Sequence, residues 1–235
     1  PEDLPVYHRW MALLNTGQEN ESFEAEFRMR NALGEWRWID QRGLIFQGSG
    51  RGRSRQVLLT GNDVTESREV RDRLHFMSTH DGLTGLYNWA FFQSTLEQVL
   101  QEQQFPATVF MMDVDNLKVI NDTLGHDAGD ELLHEIGARL ENAFRSGDVV
   151  ARVGGDEFAA ILPQVNENAA AEIARRVRTC FRDSTTPSGT NLDVLSLGFC
   201  TAYNSSELVE ARRHADQRMY LEKQKRKLAA LMVRL

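Results

Sequence analysis

Apolar and polar positions follow two different periods along this chain. Residues 22–30 alternate, with Phe23, Ala25, Phe27 and Met29 set against Glu24, Glu26, Arg28 and Arg30, which predicts a half-buried strand. Two more strands are predicted, from Trp36 to Phe46 and from Arg55 to Gly61, with a turn at Leu33-Gly34 and a Gly-rich turn from Gly48 to Gly52. A helix over 3–16, with Trp10, Met11 and Leu14 on one apolar face, precedes them. The sum is an antiparallel meander with one polar face. Trp36 and Trp38 read as core or interface residues, with a ligand-facing role as the alternative. Residues 66–78 are helical by composition, and Val70, Leu74 and Met77 recur at a/d spacing over one heptad.

From residue 88 onward strands and helices alternate. A helix over 88–101 turns Phe91, Leu96, Val99 and Leu100 inward. There follow strand 107–114, helix 126–144, strands 148–153 and 157–162, helix 167–181 and strand 193–201, with a helix-rich, basic end from Leu208 to Leu235. Leu132, Leu133, Ile136, Leu140 and Phe144 mark the inner face of one helix; Ala169, Ile173, Val177 and Phe181 mark that of the other. Strand-helix-strand-strand-helix-strand is the ferredoxin-like order, an α+β architecture. Such a domain has no need of the meander. The chain is therefore expected to divide into a unit over 1–65, a linking helix over 66–78 and a second domain over 79–235.

Polar chemistry interrupts the apolar pattern at two places. The run Ala107 to Met112 ends in Asp113-Val114-Asp115. Carboxylates at the end of a buried strand are costly unless paired or bound to metal. The second place is Gly154-Gly155-Asp156-Glu157, between two strands. Two glycines there read as a tight hairpin turn whose backbone a phosphate can approach, because no Cβ intervenes. Acids beside a phosphate repel it unless a divalent cation lies between them; the alternative is an ordinary turn with solvated acids. In the ferredoxin-like order the third strand lies antiparallel beside the first. That places Asp113 and Asp156 where they converge on one cation.

Composition narrows the classes. A net charge of −7 and a pI near 5.4 argue against a nucleic-acid partner, for which a basic patch and high pI are expected. Cys180 and Cys200 sit in apolar-periodic segments and read as buried free thiols of a reducing compartment. No apolar run approaches the roughly 20 residues of a membrane span, and no secretory core opens the sequence. A cytoplasmic location without a membrane partner is expected.

Five motifs carry a resemblance. Gly154-Gly155-Asp156-Glu157-Phe158 resembles the signature of the GGDEF domain of diguanylate cyclases. Asp81-Gly82-Leu83-Thr84-Gly85-Leu86-Tyr87-Asn88 is similar to the family's opening motif. The stretches Asp113 to Asp122 and Gly125 to Asp130 resemble its metal and guanine segment, Arg145 to Asp148 its inhibitory RxxD, and Ala215 to Lys223 its last helix. The match covers roughly residues 79–228. Upstream, Glu2-Asp3-Leu4, Phe23 to Arg30, Gly34 to Trp38, Gly61 and Asp63-Val64-Thr65 resemble the C-terminal half of a PAS domain. The first strands of that fold are missing, so the other half is expected upstream or a partner is expected to cover the remnant.

The resemblance implies an enzyme that joins two GTP molecules into cyclic di-GMP and releases two pyrophosphates. Two Mg²⁺ (or Mn²⁺) per site would lower the pKa of the attacking 3′-hydroxyl and offset leaving-group charge. Asp113, the carbonyl of Val114 and Asp156 are the implied ligands, with Asp156 also accepting the proton. Glu157 joins the metal shell or holds a basic side chain. Lys118 meets phosphate charge, as do Lys223 and Lys227, with Gly154 and Gly155 lining the phosphate path. Asn121 and Asp130 supply the guanine partners; His126 lines the same pocket or caps a helix. Arg145, Asp148 and Arg176 form the implied product site, the alternative for Arg145 and Asp148 being a local ion pair at a helix end. Two guanosines in one product imply a two-fold homodimer. Two departures are visible: Trp89 stands where the family usually carries Arg, and Arg226-Lys227-Leu228 stands in place of Gly-Arg-Asn with no terminal strand after it. The second implies an altered triphosphate grip. The other class that fits is a non-catalytic module that binds GTP or cyclic di-GMP and signals by docking.

Overall fold

A computed structural model describes residues 2–47, 55–182 and 184–232. The chain divides into two compact units, residues 1–75 and 76–235. The predicted turn over 48–52 lies outside the described residues.

The first unit is helix α1 (Leu4–Thr16) on a sheet of β1 (Ser22–Arg30), β2 (Trp36–Gln47) and β3 (Arg55–Asp63), antiparallel in that order. The period-2 pattern of β1 sends Phe27 to the helix side, where it packs with Trp10, Leu14 and Ile45. Asp3 accepts from the backbone N and the Nε of Arg28, at 3.1 and 2.6 Å, and so fastens the start of α1 to β1. Trp36 and Trp38 are not core residues. Trp36 is 46% exposed with Arg30 over its ring, and Trp38 lies under Arg28 and Arg68 at 5.4 and 4.0 Å. Arginine guanidiniums thus lie over both indoles. Helix α2 (Thr65–Thr79) is tied to this sheet at its start. Thr65 N donates to Asp63 Oδ1 at 3.0 Å, Trp38 N donates to Thr65 Oγ1 at 2.8 Å, and Arg68 is ion-paired with Glu26. Val70, Leu74 and Met77 are exposed.

The second unit has one five-stranded sheet in the order β4-β6-β7-β5-β8. Its strands are β4 (Tyr87–Asn88), β5 (Ala107–Val114), β6 (Val149–Arg152), β7 (Glu157–Pro163) and β8 (Leu195–Ala202). Every residue of β5 is buried, which is why its sequence, apart from Thr108 and Asp113, is apolar instead of alternating. Helices α5 (His126–Ala143) and α6 (Glu167–Phe181) cover one face through Leu132, Ile136, Leu140, Val177 and Phe181. Helices α3 (Trp89–Gln101) and α7 (Ser205–Met232) cover the other through Phe92, Val99, Ala211, Ala215 and Met219. The short α4 (Leu117–Leu124) follows β5.

Several details differ from the periodic reading. Phe92, not Phe91, is the fully buried aromatic of α3; Phe91 stacks on Tyr87 instead. In α6 the inner positions are Ala170 and Ala174, while Ala169 lies in the capped first turn, its N–H donating to Asn166 Oδ1 at 3.0 Å. Both cysteines are half-buried, not buried. Trp89 lies against Phe92 and under Arg212. No helix among the described residues is long and apolar enough to cross a membrane.

Candidate active site

The site forms where β5 ends and β7 begins. The antiparallel register pairs Asp113 with Glu157, and Val114 N donates to the Asp156 carbonyl at 2.9 Å. Asp113, Val114, Asp156 and Glu157 are thus brought to one end of the sheet. The connection that presents Asp156 is not the two-residue turn its glycines suggested. Residues 153–156 separate the strands, closed by Val153 N to Glu157 O at 2.9 Å, and neither glycine has the positive φ of a primed turn. A Cβ on Gly154 would stand 2.9 Å from Glu157 Oε2, whereas one on Gly155 would meet nothing. Gly154 makes room for the acid; Gly155 is the open backbone position.

Helix α7 brings cations to these acids. It lies so close to β8 that a Cβ on Gly198 would collide with backbone atoms of Ala215 and Met219. One turn beyond Met219, Lys223 Nζ is ion-paired with Asp113 Oδ1. Burial, then the charges of Asp156 and Asp115, push Asp113 above the usual carboxylate range, against the pull of Lys223. Burial and the charges of Asp156 and Asp113 likewise raise Glu157. Burial by itself would lower Lys223; its bond to Asp113 and the surrounding carboxylates outweigh this and hold its pKa up. The cluster is therefore short of positive charge. Among the described residues no three His, Cys, Asp or Glu side chains converge to hold a metal by themselves. Two carboxylates and a carbonyl nevertheless fit Mg²⁺, which takes one or two carboxylates and completes its shell with water and substrate phosphate.

Two further contacts were not anticipated from sequence. Asp115 is 5% exposed, receives Ser196 Oγ at 2.9 Å and Arg226 Nε at 2.8 Å, and its N–H donates to Val194 O at 2.6 Å. The available signals were the i, i+2 spacing of Asp113 and Asp115 and the i, i+3 spacing of Lys223 and Arg226, one turn of helix. Arg152 reaches from the end of β6 to Asp81 Oδ1 at 3.2 Å and to the Gly155 carbonyl at 2.8 Å. Asp81 Oδ1 also accepts from Thr84 N and Oγ1, at 2.9 and 2.7 Å. Asp81 thus caps its own turn and braces the hairpin as well.

The other predicted residues lie around this centre. Lys118 is exposed on α4, His126 and Asp130 are exposed in the first turns of α5, and Lys227 is exposed on α7. Asn121 Oδ1 is buried without a hydrogen-bond partner, and a Cβ on Gly129 would collide with that oxygen. Arg145 and Asp148 are joined at 3.0 Å, with the Asp148 side chain fully buried, and Arg145 Nη2 also donates to Pro163 O at 2.8 Å. Arg176 Nε donates to Ala143 O at 2.9 Å, two residues before Arg145. A cavity of about 450 Å³ borders Arg145, Asp148, His80 and Tyr87.

Comparison with known proteins decides the family. The profile described as "Diguanylate cyclase, GGDEF domain" matches residues 78–228. The chain belongs to the GGDEF family. A PAS-fold profile matches residues 1–60. The probable diguanylate cyclase DgcE of Escherichia coli is 42% identical over 130 residues, 54% of this chain and 12% of that protein. The cyclic di-GMP phosphodiesterase PdeR of Escherichia coli is 29% identical over 234 residues, 93% of this chain and 35% of that protein. The chain thus spans a minor part of the length of these relatives. The crystal structure of diguanylate cyclase SiaD from Pseudomonas aeruginosa, in complex with its activator SiaC, is 32% identical, with a TM-score of 0.58 over 68% of this chain and 64% of that one. Within this GGDEF domain Glu157 of the signature stands opposite Asp113, and the Asp156 carbonyl accepts from Val114 N.

Proposed function

We propose that this chain is a diguanylate cyclase that condenses two GTP into cyclic di-GMP and two pyrophosphates. The observation that carries the proposal is the convergence of Asp113, Val114 and Asp156 at the β5–β7 end, beside the ammonium of Lys223. Divalent metal bound by Asp113, Asp156 and the Val114 carbonyl supplies charge neutralisation for attack at an α-phosphorus. The chain's own residues do the rest. Asp156 accepts the proton of the attacking 3′-hydroxyl. Lys223, Lys118 and Lys227 meet triphosphate charge, and the open backbone at Gly155 lets the phosphates approach. Glu157, whose pKa is raised by burial and by the charges of Asp156 and Asp113, belongs to the same cluster. The unpartnered Asn121 Oδ1 offers an acceptor to the N–H donors of guanine, with Asp130 and His126 on the following helix.

One domain holds one GTP, so the active form is a two-fold homodimer. The exposed Val70, Leu74 and Met77 of α2 give a second copy an apolar stripe at heptad spacing. The PAS unit acts on α2 through Asp63, Thr65 and Arg68. Arg145, Asp148 and Arg176 bind product and lower turnover. The test is mass spectrometry of products from GTP with Mg²⁺, on the wild type and on Asp156→Asn. Cyclic di-GMP from the wild type, and a loss of about 100-fold or more in the variant, is the expected result. Undiminished turnover in the variant would remove the catalytic assignment. A second reading, a GTP- or cyclic di-GMP-binding module that signals by docking, is favoured by one observation: the relative matching 93% of the chain is named a phosphodiesterase. Binding of GTP without pyrophosphate release would select it.

A further inference from the structure

Four acidic residues, Asp113, Asp115, Asp156 and Glu157, lie at the β5–β7 end, yet they are not treated alike. Asp113 faces the ammonium of Lys223. Asp115 is fixed on all sides. Ser196 Oγ lies 2.9 Å from both of its carboxylate oxygens, and Arg226 Nε donates to Oδ2 at 2.8 Å. Arg226 is itself anchored, its Nη2 donating to the carbonyl and Oδ1 of Asp193 at 2.6 and 3.1 Å. The guanidinium thus bridges the residue after β5 to the segment leading into β8. Its planar fork suits that double engagement.

We propose that Arg226 is a positioning residue that keeps Asp115 out of the cation-binding set. Asp113 and Asp115 are two residues apart, and each adds its charge to the field at Lys223. Without Arg226, Asp115 is a buried carboxylate with only a hydroxyl partner, and the nearest way to offset its charge is the cation beside Asp113. A third carboxylate would bind the ion more tightly and leave fewer positions for phosphate oxygens. Arg226 thereby leaves the ion dependent on nucleotide for part of its shell. This role rests on the proposed cation site.

The experiment is calorimetric titration of Mn²⁺ alone into the full chain. The variants are Arg226→Gln, Arg226→Lys, Asp115→Asn and the double variant Asp115→Asn/Arg226→Gln, with Lys225→Gln as a control for removing one charge from the same turn. Arg226→Gln should bind Mn²⁺ roughly tenfold more tightly, since carboxylate count sets affinity at such sites. Lys225→Gln, Arg226→Lys and Asp115→Asn should each stay within about twofold of the wild type, and the double variant should return to it. A merely structural role for Arg226 would lower the melting temperature without raising metal affinity. The inference is overturned if Arg226→Gln binds Mn²⁺ no more tightly than the control, or if its gain survives in the Asp115→Asn background. It is overturned independently if Asp115→Asn by itself weakens binding, because Asp115 would then be a ligand already. A wild type that binds no Mn²⁺, with or without GTP, would instead fail the cation site itself, and Arg226's role with it.

Discussion

Lys223 and Asp113, 110 residues apart in sequence, form an ion pair at the end of the central strand. Their side chains are 19% and 10% exposed. The pair lies between the exposed and the fully buried case. Asp113→Asn should therefore cost roughly 1–3 kcal/mol by leaving a half-buried ammonium without its partner. Asp113→Asn/Lys223→Met should recover part of that stability while remaining inactive. Denaturant melts of the two single variants and the double variant measure the coupling. Additive losses would mean that the pair contributes nothing.

Gly129 and Asn121 are linked by space. Gly129→Ala pushes its Cβ onto Asn121 Oδ1 and should cost about 1–3 kcal/mol, with GTP binding weakened because the amide is displaced. In an Asn121→Ala background the same change should be much milder. Titrations of GTP against ATP with both variants check this; an equal cost in the two backgrounds would show that the oxygen is not what Gly129 accommodates.

On the proposed function, the Arg145–Asp148 pair allows product control to be tested apart from chemistry. Arg145→Ala should keep the initial rate and lose inhibition by added cyclic di-GMP, while leaving the buried Asp148 carboxylate with fewer partners. Progress curves with product added at the start are the measurement. Equal inhibition of wild type and variant would reduce the pair to a helix-end contact.

Asp81 predicts an acid-side effect. Burial opposes its ionisation, but Thr84 and Arg152 prevail and hold its carboxyl below the usual aspartate value. A depressed folded-state pKa stabilises the fold above the unfolded value of about 3.9, and that contribution is lost as pH falls through the folded value. The stability gap between wild type and Asp81→Asn should be full near pH 6 and shrink below about pH 4. Thermal melts of both across that range decide it. A gap that does not change with pH would mean that Asp81 acts through shape and not charge.

Periodicity alone placed the core strands and helices of the second unit to within a residue or two, because fully buried strands and amphipathic helices differ in their repeats. Motif order alone was enough to indicate the acids of the β5–β7 end. Asp63 and Thr65 belong to the PAS resemblance, and the hydrogen bonds that join them to each other and Thr65 to β2 give that pair its physical content. Other features depend on which atoms meet after packing, and no local pattern encodes them. The Gly154-Gly155 dipeptide promised a two-residue turn, but closure through the Glu157 carbonyl made a longer loop. Arg152 and Asp81 are 71 residues apart, and Arg226 and Asp115 are 111 apart. Their pairing follows from where β6 ends and from how closely α7 approaches Gly198. Phe91 and Ala169 sit on the right helices but off the buried face, because helix ends are placed by their caps and stacking partners and not by the apolar stripe. Local repeats set the elements. Long-range approach of side chains, which costs chain entropy and is repaid only by mutual burial and charge pairing, set the site.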